Sequence, residues 1–570
     1  MTSEPRTGAL HRLPALTLLM MLGPIIAGIA GTLGPAFGLM ATVGGDGLSL
    51  APFRALSDWP GFLPAARLSV TTGLAATLIS LALTMLIVAG WQGTRPFRLI
   101  ERVLSPLLSV PHAAAAFGIA FLIAPSGWIA RALSPWATGW QRPPDLLIVQ
   151  DPWGLAMVGG LVAKEVPFLM LMTLAALGQG RTGQARTVAA SLGYQRMTGW
   201  IKAVFPGIYA QIRLPVYVVL AYSMSVVDVA IILGPNTPPT LAVQIVRWMA
   251  DPDLSFRLQA AAAALVQFGL VAGALIVWRG GEHLAAWLGA RWVWRGGRSL
   301  AGGAERPLRL ASLLCAVLSA LAILLGLAGL GVWSVAGFWG FPDLWPDQLT
   351  LRSWTRFATA LYGPVTETAL IAGTATLIAL VLTIGCLEAE YRHGLRPGRQ
   401  SLWLIYLPLL IPQVAFLPGL QILLLQTGAG SGRVAVIFAH LVFVLPYVFL
   451  SLSAPFRAWD VRIGTVAKAL GAGPDRVLWS VRLPMLLAPV LTAAAVGFSV
   501  SVGQYLPTLL IGGGRVQTLT TEALALASGG DRRAVGVLGL LQTGAALLPF
   551  LLAVFLPRII WRNRRGVLNG

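Results

Sequence analysis

The residues able to do chemistry are few, and their spacing excludes most of it. Of the three lysines, Lys164, Lys202 and Lys468, none follows the Gly-x4-Gly loop whose backbone amides would cradle phosphates. Nucleotide hydrolysis is therefore not expected on this chain. His11, His112, His283, His393 and His440 lack metal-ligand spacing, and no Gly-x-Ser-x-Gly elbow is present. Cys315 and Cys386 lie in apolar runs, so neither a disulfide framework nor a zinc site is expected. With no catalytic residue, cofactor or metal in prospect, the notable groups are polar residues inside apolar runs: Lys164 and Glu165 ahead of Pro167, then Asp228, His440 and Gln504. A charge at a bilayer centre costs roughly 2.5–3.5 kcal/mol, so such groups must find internal partners. Lys164 and Glu165 point about 100° apart on a helix and are expected to pair with other helices. They read either as a gating or pore-facing pair or as a polar patch between helices. His440 has no acidic neighbour in its run and reads as an interhelical hydrogen-bonding residue.

Membrane helices must position these groups. In 570 residues, 56% are hydrophobic and only 11% charged, which excludes a string of soluble domains. A span needs roughly 20 mostly apolar residues, and twelve runs qualify. In the first half they cover 16–36, 68–89, 103–123, 155–177, 214–233 and 258–277. In the second they cover 310–330, 369–387, 402–425, 434–452, 485–511 and 535–556. Helices are expected, because the runs lack the two-residue alternation of membrane strands. The first run follows Arg6 and Arg12 but lacks a clear cleavage site, and so reads as an anchor.

The net charge of +20 could suggest nucleic acid, but its distribution points elsewhere. With the N-terminus placed in the cytoplasm, the inner segments carry 28 of the 41 Lys+Arg, the outer ones 12, and Lys164 lies in a span. Arg95, Arg98 and Arg102 form one inner cluster, Arg291, Arg295 and Arg298 another, and Arg558, Arg562, Arg564 and Arg565 a third. This is a positive-inside signal with contact to anionic membrane lipid, and nucleic acid is not expected. Both termini are expected in the cytoplasm.

Two long inner loops share a pattern. One reads Thr187-Val188-Ala189-Ala190-Ser191-Leu192-Gly193 and reaches Pro206 thirteen residues later. The other reads Thr465-Val466-Ala467-Lys468-Ala469-Leu470-Gly471 and reaches Pro484 thirteen residues later, the copies standing 278 residues apart. This is a duplication. Three units are expected: a first repeat over 1–290, a cytoplasmic linker over 291–309 and a second repeat over 310–570. Six spans per repeat keep the halves parallel, with an axis along the membrane normal and a pathway between them. Thr187 and Thr465 are expected to cap a short helix, Gly193 and Gly471 to turn the chain into a second, and Pro206 and Pro484 to mark the break before re-entry into the bilayer. Asp228 and Gln504 then fall on corresponding spans, which are expected to line the pathway.

The two loops resemble the EAA loop of importer-type ABC-transporter permeases, in which Glu-Ala-Ala, a glycine and a later Leu-Pro occupy these offsets. The fused two-half group typified by iron(III) and thiamine importers is the most similar. The stretch Gly503-Gln504-Tyr505-Leu506-Pro507-Thr508, with Thr518 to Ala523, is similar to Ynj-type permeases. The resemblance implies an all-α inner-membrane protein of about twelve helices in two parallel repeats. It also implies coupling helices around Thr187, Ala189, Gly193 and Pro206, and around Thr465, Ala467, Gly471 and Pro484. Each would seat on one of two cytoplasmic ABC ATPase subunits, with a periplasmic solute-binding protein delivering cargo. Both copies depart from the family in carrying Thr in place of the glutamate and Val in place of the first alanine, so packing rather than charge would carry the docking. The competing reading is an ion- or proton-coupled secondary carrier with twelve spans. Against it, 91–102 lacks the Gly-x-x-x-Asp-Arg pattern associated with major-facilitator carriers.

Overall fold

The computed structural model describes residues 9–561 apart from positions 41, 43, 46, 180–181, 301–302, 396–397, 429 and 431. Arg6, Arg181, Arg396, Arg562, Arg564 and Arg565 of the charge tally lie outside the described residues. Among the described residues, nine helices are long and apolar enough to cross a membrane, and three bent pairs bring the number to twelve.

In the first half, α1 (Ala9–Ala36) and the short α2 (Ala51–Asp58) precede α3 (Phe62–Trp91). The amphipathic α4 (Arg95–Leu107), α5 (His112–Ile123) and α6 (Trp128–Leu133) follow. Next, α7 (Leu155–Gln179) leads to a hairpin of α8 (Thr182–Ser191) and α9 (Arg196–Ala203). The half closes with α10 (Phe205–Ser225), α11 (Asp228–Leu233), α12 (Leu241–Met249) and α13 (Phe256–Trp294).

The second half repeats this order with α14 (Glu305–Val335), α15 (Arg352–His393), α16 (Arg399–Leu410), α17 (Gln413–Gln426) and α18 (Arg433–Ala458). Its hairpin comprises α19 (Val461–Ala469) and α20 (Pro474–Val477), continued through a π-helical turn at Leu478–Arg482 into α21 (Leu483–Met485). After it come α22 (Leu487–Val502), α23 (Leu506–Gly512), α24 (Leu519–Ser528) and α25 (Arg532–Ile560). Moving α7, α8, α11 and α12 by the 278 residues that separate Thr187 from Thr465 reproduces the bounds of α18, α19, α23 and α24 to within a residue, and α9 and α10 fall on the stretch from α20 to α22. Between the halves, α13 runs on to Trp294 and α14 begins at Glu305, so helix occupies both ends of the expected 291–309 linker.

Four expected spans are not single straight helices. The run 103–123 breaks between Leu107 and His112, and 402–425 breaks at 411–412 with a bend of 83°. The cause is proline: Pro111 and Pro412 stand at the N-caps of α5 and α17 and push the preceding residue, Val110 or Ile411, out of the α region. The runs 214–233 and 485–511 are interrupted at Val226–Val227 and at 503–505, and the helices leading into them bend by 63° and 77° near Val204 and Leu486.

The first helix of each half crosses into the other half. Helix α1 packs on α17, and α14 on α5. Both crossings put glycine against glycine: a Cβ at Gly31 would stand 2.4 Å from the Gly419 oxygen, and one at Gly118 2.7 Å from the Gly326 carbonyl carbon. Close backbone approach of this kind is how helices associate where lipid removes the hydrophobic drive. A second pair of matching contacts ties the short helices down. The Leu241 amide donates to Ser69 Oγ at 3.0 Å, and the Leu519 amide to Thr368 Oγ1 at 2.9 Å. Each supplies an acceptor to an otherwise orphaned first-turn N–H.

Candidate functional site

Both hairpins lie at the helix ends of one face of the bundle. In each, the glycine turns the chain with φ in the left-handed region, +78° at Gly193 and +85° at Gly471, where residues with a Cβ are strained. The threonines do not cap. Thr187 and Thr465 sit inside α8 and α19 and donate to the carbonyls four residues back, Gly183 and Val461, at 3.0 and 3.3 Å. The helices start about a turn earlier than the pattern suggested, and in the second hairpin Asp460 is the cap, accepting from the Arg462 amide. Hydrogen bonds from Arg462 hold that carboxyl below the usual range.

Ala189 is buried, and a Cβ at Gly199 of α9 would come within 3.2 Å of its methyl, which sets the close spacing of the first hairpin. Ala467 is half-buried. Outward, each hairpin presents the same apolar pair one turn apart, Val188 with Leu192 and Val466 with Leu470. Pro206 occupies the first turn of α10 after the bend at Val204, whereas Pro484 lies in α21 just before the bend at Leu486.

The hairpins are held differently. Glu305, at the start of α14, accepts from the Met197 amide at 2.7 Å and Thr198 Oγ1 at 3.2 Å, capping α9 from the other half. The Gln195 amide donates to the Arg298 carbonyl at 2.8 Å. Lys202 Nζ donates to the carbonyls of Trp292 and Gly297 and lies 4.5 Å over the Trp292 ring. The second hairpin is held from within its own half. Arg482 is buried, donates to Glu388 Oε2 at 3.1 Å and the Phe456 carbonyl at 2.8 Å, and lies 3.9 Å from the Phe456 ring centroid. Arg392 bridges Glu388 and Asp475. Neither Glu305 nor Arg482 stood out in the sequence, because each acts on a residue roughly a hundred positions away.

The polar groups of the spans gather at the helix breaks. Lys164 Nζ donates to the carbonyls of Leu107, Leu108 and Val110 at 2.9, 3.2 and 2.6 Å. It thereby satisfies the acceptors freed where α4 gives way to α5. Glu165 faces His112, with Nε2 to Oε1 at 3.6 Å, and the His112 ring lies 4.9 Å from that of Tyr222. Asp228 opens α11 immediately after the break, and Gln504 lies in the corresponding break, accepting from Gln413 Nε2 at 3.4 Å. His440 bridges helices as expected, with Nδ1 2.7 Å from Ser501 Oγ and Nε2 2.9 Å from Thr508 Oγ1. No group of three or more His, Cys, Asp or Glu able to hold a metal occurs among the described residues.

Comparison with known proteins gives this architecture a family. Residues 381–560 match the binding-protein-dependent transport system inner membrane component. The inner membrane ABC transporter permease protein YnjC of Escherichia coli (strain K12) is 32% identical over 556 residues, 96% of this chain and 98% of that one. The molybdenum transport system permease protein ModB of Mycobacterium tuberculosis is 30% identical over 190 residues, covering 30% of this chain and 72% of its own. The spermidine/putrescine transport system permease protein PotC of Haemophilus influenzae is 23% identical over 219 residues, covering 38% and 83%. A fused pair of six-span repeats, each with a glycine-turned hairpin on the same face, thus belongs to the binding-protein-dependent ABC importer permeases, as a multi-pass inner-membrane protein.

Proposed function

We propose that this permease couples to two copies of a separate cytoplasmic ABC ATPase through its two hairpins, and takes its cargo from a periplasmic solute-binding protein at the opposite face. The observation that carries the reading is the repeated exposed pair Val188 and Leu192, Val466 and Leu470, which offers each ATPase subunit an apolar ridge one helical turn long. With Thr187 and Thr465 where the family has glutamate, burial of that ridge supplies the docking energy. Thr187, Ala189, Gly193 and Pro206, and Thr465, Ala467, Gly471 and Pro484, set the shape of the two hairpins so that each moves as a unit. The first helix begins and the last helix ends on the hairpin side, so both termini are assigned to the cytoplasm, where the basic clusters meet anionic lipid.

The pathway runs between the halves past Glu165, Asp228 and Gln504, with Lys164 holding open the break at which His112 and Glu165 meet. Transport requires that ATP and the loaded binding protein favour different states of this pathway, since a ligand with equal affinity for both states shifts neither. Copurification from mild detergent tests the partnership, and ATP-dependent uptake in vesicles tests the coupling. Gly193→Trp and Gly471→Trp are expected to abolish uptake while the protein still inserts. Normal uptake in both variants, or solute transport by the purified chain with no ATPase present, would refute the reading.

A further inference from the structure

A cavity of about 190 Å³ opens on the face opposite the hairpins, at the seam between the halves. The first half contributes Arg257, in the first turn of α13. The second half contributes Arg515, Gln421 and an apolar wall of Leu424, Leu425 and Ile511. Two cations thus share one cleft, and among the described residues no carboxylate lines it. Among the described residues, the buried Arg257 Nε and the buried Gln421 Oε1 have no hydrogen-bond partner, an arrangement that is unfavourable unless something binds there. The volume is several times the roughly 30 Å³ of a water molecule.

The start of α25, the last helix of the other half, is arranged differently. There Arg532, in the first turn of α25, donates to Ser126 Oγ at 2.6 Å and lies 5.3 Å from the Trp333 ring centroid and 5.8 Å from that of Phe121. Of the arginines in the first turns of α13 and α25, Arg532 is therefore satisfied internally, and Arg257 is left facing a cleft with a second arginine beside it.

We propose that this cleft is a subsite for a small oxyanion at the external mouth of the pathway, so that the cargo, or the group by which the cargo is recognised, is a tetrahedral or carboxylate-like anion. Arg257 and Arg515 supply the planar fork of donors that matches such oxygens. The aligned amides at the start of α13 add to the field. Gln421 supplies either its oxygen to a protonated anion or, with the amide rotated, its N–H groups. The inference rests on the permease reading, because a mouth is meaningful only for a pathway.

The test uses the full-length permease with its ATPase in nanodiscs, titrated separately with sulfate, phosphate and molybdate against chloride at equal ionic strength. At least one of the three is expected to raise the thermal unfolding midpoint saturably. The half-saturating concentration should rise about tenfold or more in Arg257→Gln and Arg515→Gln, and less in the lysine variants, which keep the charge. A wild-type thermal unfolding midpoint for the variants in chloride alone shows that they are folded. The proposal is overturned if none of the three ions acts beyond chloride, or if the glutamine variants saturate at the wild-type concentration. It is equally overturned if those variants weaken only capture of the solute-free binding protein, which would make the arginines a docking contact for acidic side chains. Failure of the permease reading would register separately, as wild-type ATP hydrolysis that the binding protein does not stimulate.

Discussion

In the first hairpin the chain between the halves lies against the turn: a Cβ at Gly193 would come 3.5 Å from the Arg298 guanidinium, and Glu305 caps the helix that follows. At Gly471 the same Cβ would meet no described atom within 4 Å, and Leu470 is 83% exposed against 55% for Leu192. Two copies of one pattern have thus diverged in what holds them. A fused chain has one connection to share between two hairpins. Residues leaving α13 and starting α14 lie beside the first hairpin, so its brace comes from the connection between the halves and from the start of the second half. The second is braced by Arg482, Glu388 and Arg392 of its own half. Motion of the first hairpin must therefore carry α14 with it, whereas the second can tilt on a buried ion pair.

The largest test of this contrast is Glu388→Leu, which leaves Arg482 buried without its carboxylate and should cost about 3–5 kcal/mol, read as chemical unfolding in detergent. The double variant Glu388→Leu with Arg482→Met should recover most of the loss. A loss below about 1 kcal/mol in the single variant would show that the aromatic cage alone holds the arginine. Next comes Glu305→Ala, expected to cost about 1–2 kcal/mol as a lost cap. Amide exchange should quicken in α9 and stay unchanged in α20, and equal quickening in both hairpins would erase the distinction. Alanine at Gly193 and at Gly471 should cost about 1–2 kcal/mol each from left-handed strain, with little difference between them because neither methyl clashes. Tryptophan should separate them, as only at Gly193 does it displace Arg298, an effect visible as proteolysis of the linker. The smallest effect concerns pH. The Asp460 carboxyl is held down in the folded state, so its cap is fully present above the ordinary carboxylate value of about 4 and is lost as pH falls through the lower folded value. Exchange in α19 should then rise at acid pH, while α8, with no acidic residue in its first turn, stays constant. Asp460→Asn should abolish the difference.

Much of this was legible in the residue order. Hydropathy marks a span wherever about 20 apolar residues follow one another, and the repeat from Thr187 to Pro206 and from Thr465 to Pro484 names the hairpins and their turning glycines. The threonines misled because a hydroxyl at a helix start and one bonded to the carbonyl four residues back look alike in a sequence. The broken spans were foreshadowed by Pro111 and Pro412, but a run of apolar residues reads the same whether the helix bends or not.

Span number, repeat period and the absence of a phosphate cradle are local properties, carried by residues close together in the chain, and the sequence alone determined them. Only the tertiary structure decided that Lys164 satisfies the carbonyls of a helix break, that Glu305 caps a helix of the other half, and that among the described residues Arg257 Nε finds no hydrogen-bond partner while Arg532 finds Ser126. Each of these depends on buried polar groups meeting across long stretches of chain. In a low-dielectric interior a charge takes whichever partner the packing brings within hydrogen-bond reach, and no local pattern specifies which one that will be.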